Sequence, residues 1–157
     1  MAKYNRKEEL PYGISQVYEL ITDVTEYPSF LPWCHSIEVI KQIGDSIIAD
    51  VKVQIAFMKE SYLSIIHTSA PSLNPNTNLS EAHVLIKGEN ERLFKQFDTA
   101  WYLREKAKDC TEVEFLLEFE FRSSLYQKMS DLFFPTACAK IIDAFCARAK
   151  ATKKLEG

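Results

Sequence analysis

The chain has 157 residues, 46% of them hydrophobic and 26% charged, with a formal net charge of −3. That length suits one domain, 1–157, and the small negative charge excludes a chain that captures nucleic acid through its overall field. No apolar run approaches the roughly 20 residues of a membrane span, and the charged start MAKYNRKEEL lacks a secretory h-region, so the expected location is cytoplasmic.

In chain order, residues 3–10 are polar and read as an edge strand. Pro11 and Gly13 make a turn, and Ser15 is the expected N-cap of a short helix carrying Val17, Tyr18, Leu20, Ile21 and Val24. The segment EYPSFLPWCHSIEV follows, with Phe30 and Leu31 bracketed by Pro28 and Pro32, and Trp33 directly after. From residue 36 the period becomes two. Residues 36–43 place Ile37, Val39 and Ile43 toward a core, and 47–57 place Ile47, Ala49, Val51, Val53, Ile55 and Phe57 on one face. Strands are expected at 61–69, 79–88 and 93–105, with 71–78 (PSLNPNTN) as a loop. The clearest strand is 111–122: Val113, Phe115, Leu117, Phe119 and Phe121 share one face, opposite Glu112, Glu114, Glu118 and Glu120.

After Ser123 the spacing becomes three and four, through Leu125, Met129, Leu132, Phe133, Ala137, Ile141, Ala144 and Phe145. This is a long helix, with a kink or restart expected where Pro135 removes a donor. A curved antiparallel sheet with one dry face has to cover it, and only this helix is long enough. The helix is rich in Ala and Cys near its stripe, including Ala137, Cys138, Ala139, Ala144 and Cys146. Small residues over a concave sheet mark either space kept for a ligand or simple helix propensity and close packing.

Residues for chemistry are scarce. The four cysteines form no CxxC and match no zinc spacing, so they read as reduced thiols serving as small hydrophobes. Cys34 and His35 are adjacent and point to opposite faces of a strand, which separates them as a nucleophile pair. No GxSxG, HExxH or phosphate loop is present. Asp98 and His67 are weak candidates for an acid or base near the core. The basic cluster Arg148, Lys150, Lys153 and Lys154 complements the helix dipole, or contacts the phosphates of an RNA or an anionic membrane.

Two segments carry a family resemblance. DVTEYPSFLPWCHSIEVI and EVEFLLEFEFRSSLYQKMSDLFFP, the latter continuing to FCARAK, resemble the coenzyme Q-binding and polyketide-cyclase-like family of the START, or helix-grip, superfamily. The likeness covers nearly the whole chain. It implies an α+β helix-grip (START/Bet v 1-like) fold, with a curved antiparallel sheet around the C-terminal helix and an apolar cavity between them. It also implies non-enzymatic binding of ubiquinone or a related isoprenoid lipid in support of respiratory quinone function, with no cofactor or metal beyond that ligand. The bacterial members of the ribosome association toxin type bring a second implied role, binding the large ribosomal subunit and blocking subunit joining. A polyketide cyclase-like enzyme is a third. On the carrier reading the lid or rim consists of Phe30, Leu31, Pro32 and Trp33, unless these residues instead plug the end of the core. The wall then comes from Val53, Ile55, Phe57, Trp101, Phe115, Phe119, Phe121, Ile141 and Phe145. A ribosome or anionic contact would fall on Arg148, Lys150, Lys153 and Lys154.

Overall fold

The computed structural model describes residues 2–31, 33–55 and 58–156, without the side chains of 55, 133 and 153–156. Strand β1 (Ala2–Leu10) leads into helix α1 (Ile14–Thr22) and a 3₁₀ turn (Val24–Ser29). Strands β2 (Cys34–Ile43), β3 (Ser46–Ile55), β4 (Met58–Asn74), β5 (Leu79–Glu89), β6 (Phe94–Ala107) and β7 (Cys110–Phe121) follow, and α2 (Ser124–Glu156) ends the chain. The seven strands form one antiparallel sheet in the order β1-β7-β6-β5-β4-β3-β2. The first strand therefore pairs with the last, and α1 and α2 both lie over the same concave face.

Alternation does most of the work. In β7, Thr111, Val113, Phe115, Leu117, Phe119 and Phe121 are buried in strict period two, and the glutamates between them face outward. Outward, Arg104 of β6 meets Glu112 at 2.9 Å and Glu114 at 3.0 Å. Such half-exposed pairs contribute on the order of 0–1 kcal/mol each, so the buried face sets the stability.

Four expectations change. Helix α1 begins at Ile14 behind Gly13, with no side-chain cap, so Ser15 is already helical. Strand β4 runs on through Pro71 to Asn74. A bulge between Ser69 and Ser72 leaves the missing proline donor without a ladder partner to lose, and only 75–78 is a turn. On β2, Val39 and Ile43 are exposed at 37% and 59%: Val39 keeps the inward phase opposite the buried Ala49 but stands on a sheet edge, while the bulge at Val39/Lys41 inverts the alternation and turns Ile43 outward opposite Ser46. Finally, α2 is one helix through Pro135. Pro135 lies on the exposed side, as does Asp131, whose carbonyl loses its helical donor there and faces solvent rather than the core.

The stripe on α2 is also offset from the expected one. The buried positions are Phe134, Cys138, Ile142, Phe145 and Ala149, while Leu125 and Leu132 are 60% and 76% exposed. Two neighbouring stripes satisfy three-and-four spacing, and the contact of Phe134 with the Phe119 ring of β7 selects the second, with centroids 4.8 Å apart.

Gly88 of β5 faces inward, and the Phe97 ring of β6 occupies the place of a side chain: a Cβ on Gly88 would lie 2.7 Å from that ring. Gly88→Ala is expected to cost about 1–3 kcal/mol in denaturant unfolding, with Phe97→Leu in the same chain restoring part of the loss. A neutral Gly88→Ala would show that the ring moves aside freely.

Candidate ligand-binding site

The proline-bracketed segment is tied down at both ends. Leu31 donates its N–H to the Tyr27 carbonyl at 2.8 Å, Cys34 to Leu31 at 3.2 Å, and Gln54 of β3 to Trp33 at 2.9 Å. The Tyr27 hydroxyl donates to the Ile21 carbonyl at the end of α1. These bonds aim the side chains inward. Leu31 is buried, Phe30 and Trp33 are half-buried, and Phe30 meets Phe145 of α2 edge-on with centroids 5.2 Å apart.

From there a continuous file of rings crosses the interior. Phe145 touches Trp101 at 4.9 Å, and Trp101 touches Phe115 at 4.5 Å. Tyr4 bridges Phe115 at 6.2 Å to Phe134 at 6.3 Å. Phe119 contacts Phe121 at 5.2 Å, and Phe121 contacts Phe94 at 5.3 Å. Phe94, Phe97 and Tyr62 form a final trio with centroid distances of 5.0–5.7 Å. Edge-on and offset ring pairs add about 0.5–1.5 kcal/mol each beyond burial.

Among the residues expected at the site, Phe30, Trp101, Phe115, Phe119, Phe121 and Phe145 join this file. Val53, Trp33 and Ile141 flank the core half-buried, with Ile142 taking the buried position beside Ile141. Pro32 and Phe57 lie outside the described residues, as do the side chains of Ile55, Lys153 and Lys154. Tyr4, Tyr62, Phe94, Phe97 and Phe134 were not expected there. The parity of β1 and β4 could have found the tyrosines. The bulge between Phe94 and Gln96 hides the phase of β6, and Pro135 obscures Phe134.

Trp101, Phe145, Val17, Ile21 and Ile142 help to line a void of about 20 Å³, room for one water and far below the roughly 300 Å³ of a small-ligand pocket. Arg6 and Glu8 border the void from the inward face of β1. Arg6 donates Nε to Glu8 at 2.7 Å, Nη2 to Asp143 at 3.3 Å and Nη1 to the Ala139 carbonyl at 3.4 Å, tying β1 to α2. Burial pushes the Cys34 thiol up to about 11 and Cys138 up to about 12. It also drives the Tyr27 and Tyr62 hydroxyls well above their ordinary value, and both sense the nearby Cys34.

His67 and Asp98 are not near the core. They line an open groove of about 460 Å³ on the outer face of the sheet, above Leu85, Ala100 and Leu116. Outward parity on β4 and β6 places them there, which removes them as interior acid and base. At the basic end of α2, Arg148 reaches Glu26 at 3.5 Å and lies 5.6 Å over the Phe30 ring, while Lys150 is exposed. Among the described residues no cluster of His, Cys, Asp and Glu could hold a metal ion, and no helix is long and apolar enough to cross a membrane.

Residues 10–146 match the family model for polyketide cyclase / dehydrase and lipid transport, and the chain belongs to that family. A ribosome association toxin of Rickettsia prowazekii is 28% identical over 155 residues, covering 98% of this chain and all of that protein. A mitochondrial coenzyme Q-binding protein of Schizosaccharomyces pombe is 28% identical over 156 residues, covering 98% of this chain and 90% of its own. A START superfamily protein from Mycobacterium smegmatis has the same fold, with a TM-score of 0.72 at 14% identity over 96% of this chain and 98% of that one. The START/Bet v 1-like fold expected from the two motifs is the one observed.

The burial of the thiols has a measurable consequence. With a disulfide-exchange reagent at pH 8, Cys110 is expected to react first, and Cys34 and Cys138 only when the protein unfolds. Rapid native reaction of Cys138 would mean that α2 stands off the sheet.

Proposed function

We propose that this family member binds a neutral isoprenoid quinone, or a related prenyl lipid, between its sheet and α2, and carries it without chemical change. The observation that supports this most is the unbroken file of aromatic rings from Phe30 to Tyr62, covered by a helix whose inner face includes the small residues Cys138 and Ala149. Rings stack on a quinone head and slide past a prenyl tail, and each Å² of tail removed from water contributes about 25 cal/mol. The coenzyme Q-binding relative, similar over nearly the whole chain, points the same way.

At the void of about 20 Å³ beside Trp101 and Phe145, a ligand of quinone size has to displace rings. Helix α2 is held chiefly by α1, β1 and β7, so its far side can lift from the β3–β4 limb without breaking a strand ladder. The inward charges Arg6 and Glu8 are spent on each other and on α2. That leaves an interior suited to holding an apolar molecule rather than to acid–base chemistry, which supports the carrier over a cyclase-like enzyme.

A second reading, a ribosome-binding regulator, draws on the toxin relative that matches this chain end to end. Lys150 supplies an exposed cation for it, while Arg148 is already engaged by Glu26 and Phe30. Such binding would weaken steeply with salt.

Protein purified from its own host and analysed by native mass spectrometry, with lipid extraction, tests the first reading. One quinone or prenyl lipid per chain, or stoichiometric uptake of an added decyl-tailed benzoquinone, is expected. Trp33→Ala and Phe119→Ala should lower uptake at least several-fold. Empty protein that takes up no quinone, but sediments with ribosomal subunits in low salt and not in high salt, would favour the second.

A further inference from the structure

Among the described residues, β2 pairs with β3 on one side and ends the sheet on the other. Every residue from Glu38 to Ile43 is exposed. Three of them are large and apolar: Val39, Ile40 and Ile43, at 37%, 59% and 59%. A free edge that also exposes apolar side chains is a template for pairing with another chain. Its charges say which chain. Glu38 and Lys41 have no ion-pair partner among the described residues. Glu38 also stands directly across the ladder from Asp50, a like-charge pair that gains from a cation beside it. In a regular strand, residues three apart point to opposite faces. The extra residue in the bulge between Val39 and Lys41 instead sets both charges on the outer face, Glu38 opposite Asp50 and Lys41 opposite Ile48.

We propose that β2 is the interface of a twofold dimer, pairing antiparallel with β2 of a second copy of this chain so that each Glu38 meets the other copy's Lys41. In that register Val39 lies across from Ile40, Ile37 from Gln42 and Ser36 from Ile43. The flanking pairs each join residues of one face. Ile37 and Gln42 share the inner face, opposite Val51 and Ile47 of β3, while Ser36 and Ile43 share the outer face, opposite Lys52 and Ser46. A slip of one residue either way would mix the faces and separate the charges. The bulge that breaks the alternation of β2 is therefore what makes the strand complementary to itself. The two sheets join into one, with both α2 helices on the same side. Each Lys41 relieves a Glu38–Asp50 pair, and the free N–H and C=O groups of both edges find partners.

Equilibrium sedimentation of the full chain at low salt tests this. The mass is expected to rise from monomer toward dimer between about 1 and 500 µM. Glu38→Lys and Lys41→Glu each set like charges together twice per dimer, and each is expected to weaken association about tenfold. The chain carrying both substitutions restores opposite charges and is expected to recover most of the association. Thermal unfolding of each variant, recorded alongside, checks that the monomer keeps its fold. A chain that stays monomeric throughout would overturn the proposal. So would a dimer that ignores the single substitutions, or one that the double substitution fails to restore.

Discussion

Phe145 is the point where the sheet and its covering helix become one core. Its ring meets Trp101 of β6 on one side and Tyr27 and Phe30 of the proline-bracketed segment on the other. A seven-stranded sheet with a dry concave face cannot stand alone in water, and α2 is the element long enough to cover it. Burying one such ring contributes about 1.5–3 kcal/mol, and its edge-on contacts add to that. The segment at 26–33, α1 and the outer strands are all placed by that closure. Arg6 extends it to the sheet edge by binding Glu8, Asp143 and the Ala139 carbonyl.

The same arrangement explains why the interior carries so little chemistry. The charged residues of β6 and β7 are drawn outward by strand parity and pair across the ladder. What remains inside is largely aromatic and aliphatic, with a few hydroxyls and thiols that burial keeps protonated and the Arg6–Glu8 pair at the β1 side. Such an interior suits a neutral, largely apolar guest. Where the rings touch one another, binding is expected to exchange ring–ring contacts for ring–ligand contacts, so affinity depends on the difference between two packed states.

Much of the fold was legible because period two and period 3.6 are plain in the residues. Strand β7 could be read residue by residue, and so could the switch to helix at Ser123. Failures came where a local device broke the period. The bulge after Val39 turned Ile43 outward, the sheet edge left Val39 exposed, and the bulge at Pro71 let β4 continue through a proline. On α2, two adjacent stripes had equal spacing, and only the rings of β7 decided between them. The site was half legible: large residues on the inward face of β7 could be named, but Tyr62 could not be singled out. Its packing against Phe94 and Phe97 depends on the register of β4, β5 and β6, which brings distant positions together over Gly88. His67 and Asp98 show the converse, chemically promising residues that parity places on the outer face.

On the carrier reading the ligand enters the aromatic interior between the sheet and α2, not the open groove on the outer face. Protein labelled at its Phe, Tyr and Leu side chains and mixed with a decyl-tailed benzoquinone tests this through intermolecular nuclear Overhauser effects. Contacts from the quinone and its tail to Phe119, Phe145 and Tyr62 are the result expected. Contacts confined to Leu85, Leu116 and Tyr102, with the interior rings unperturbed, would contradict it.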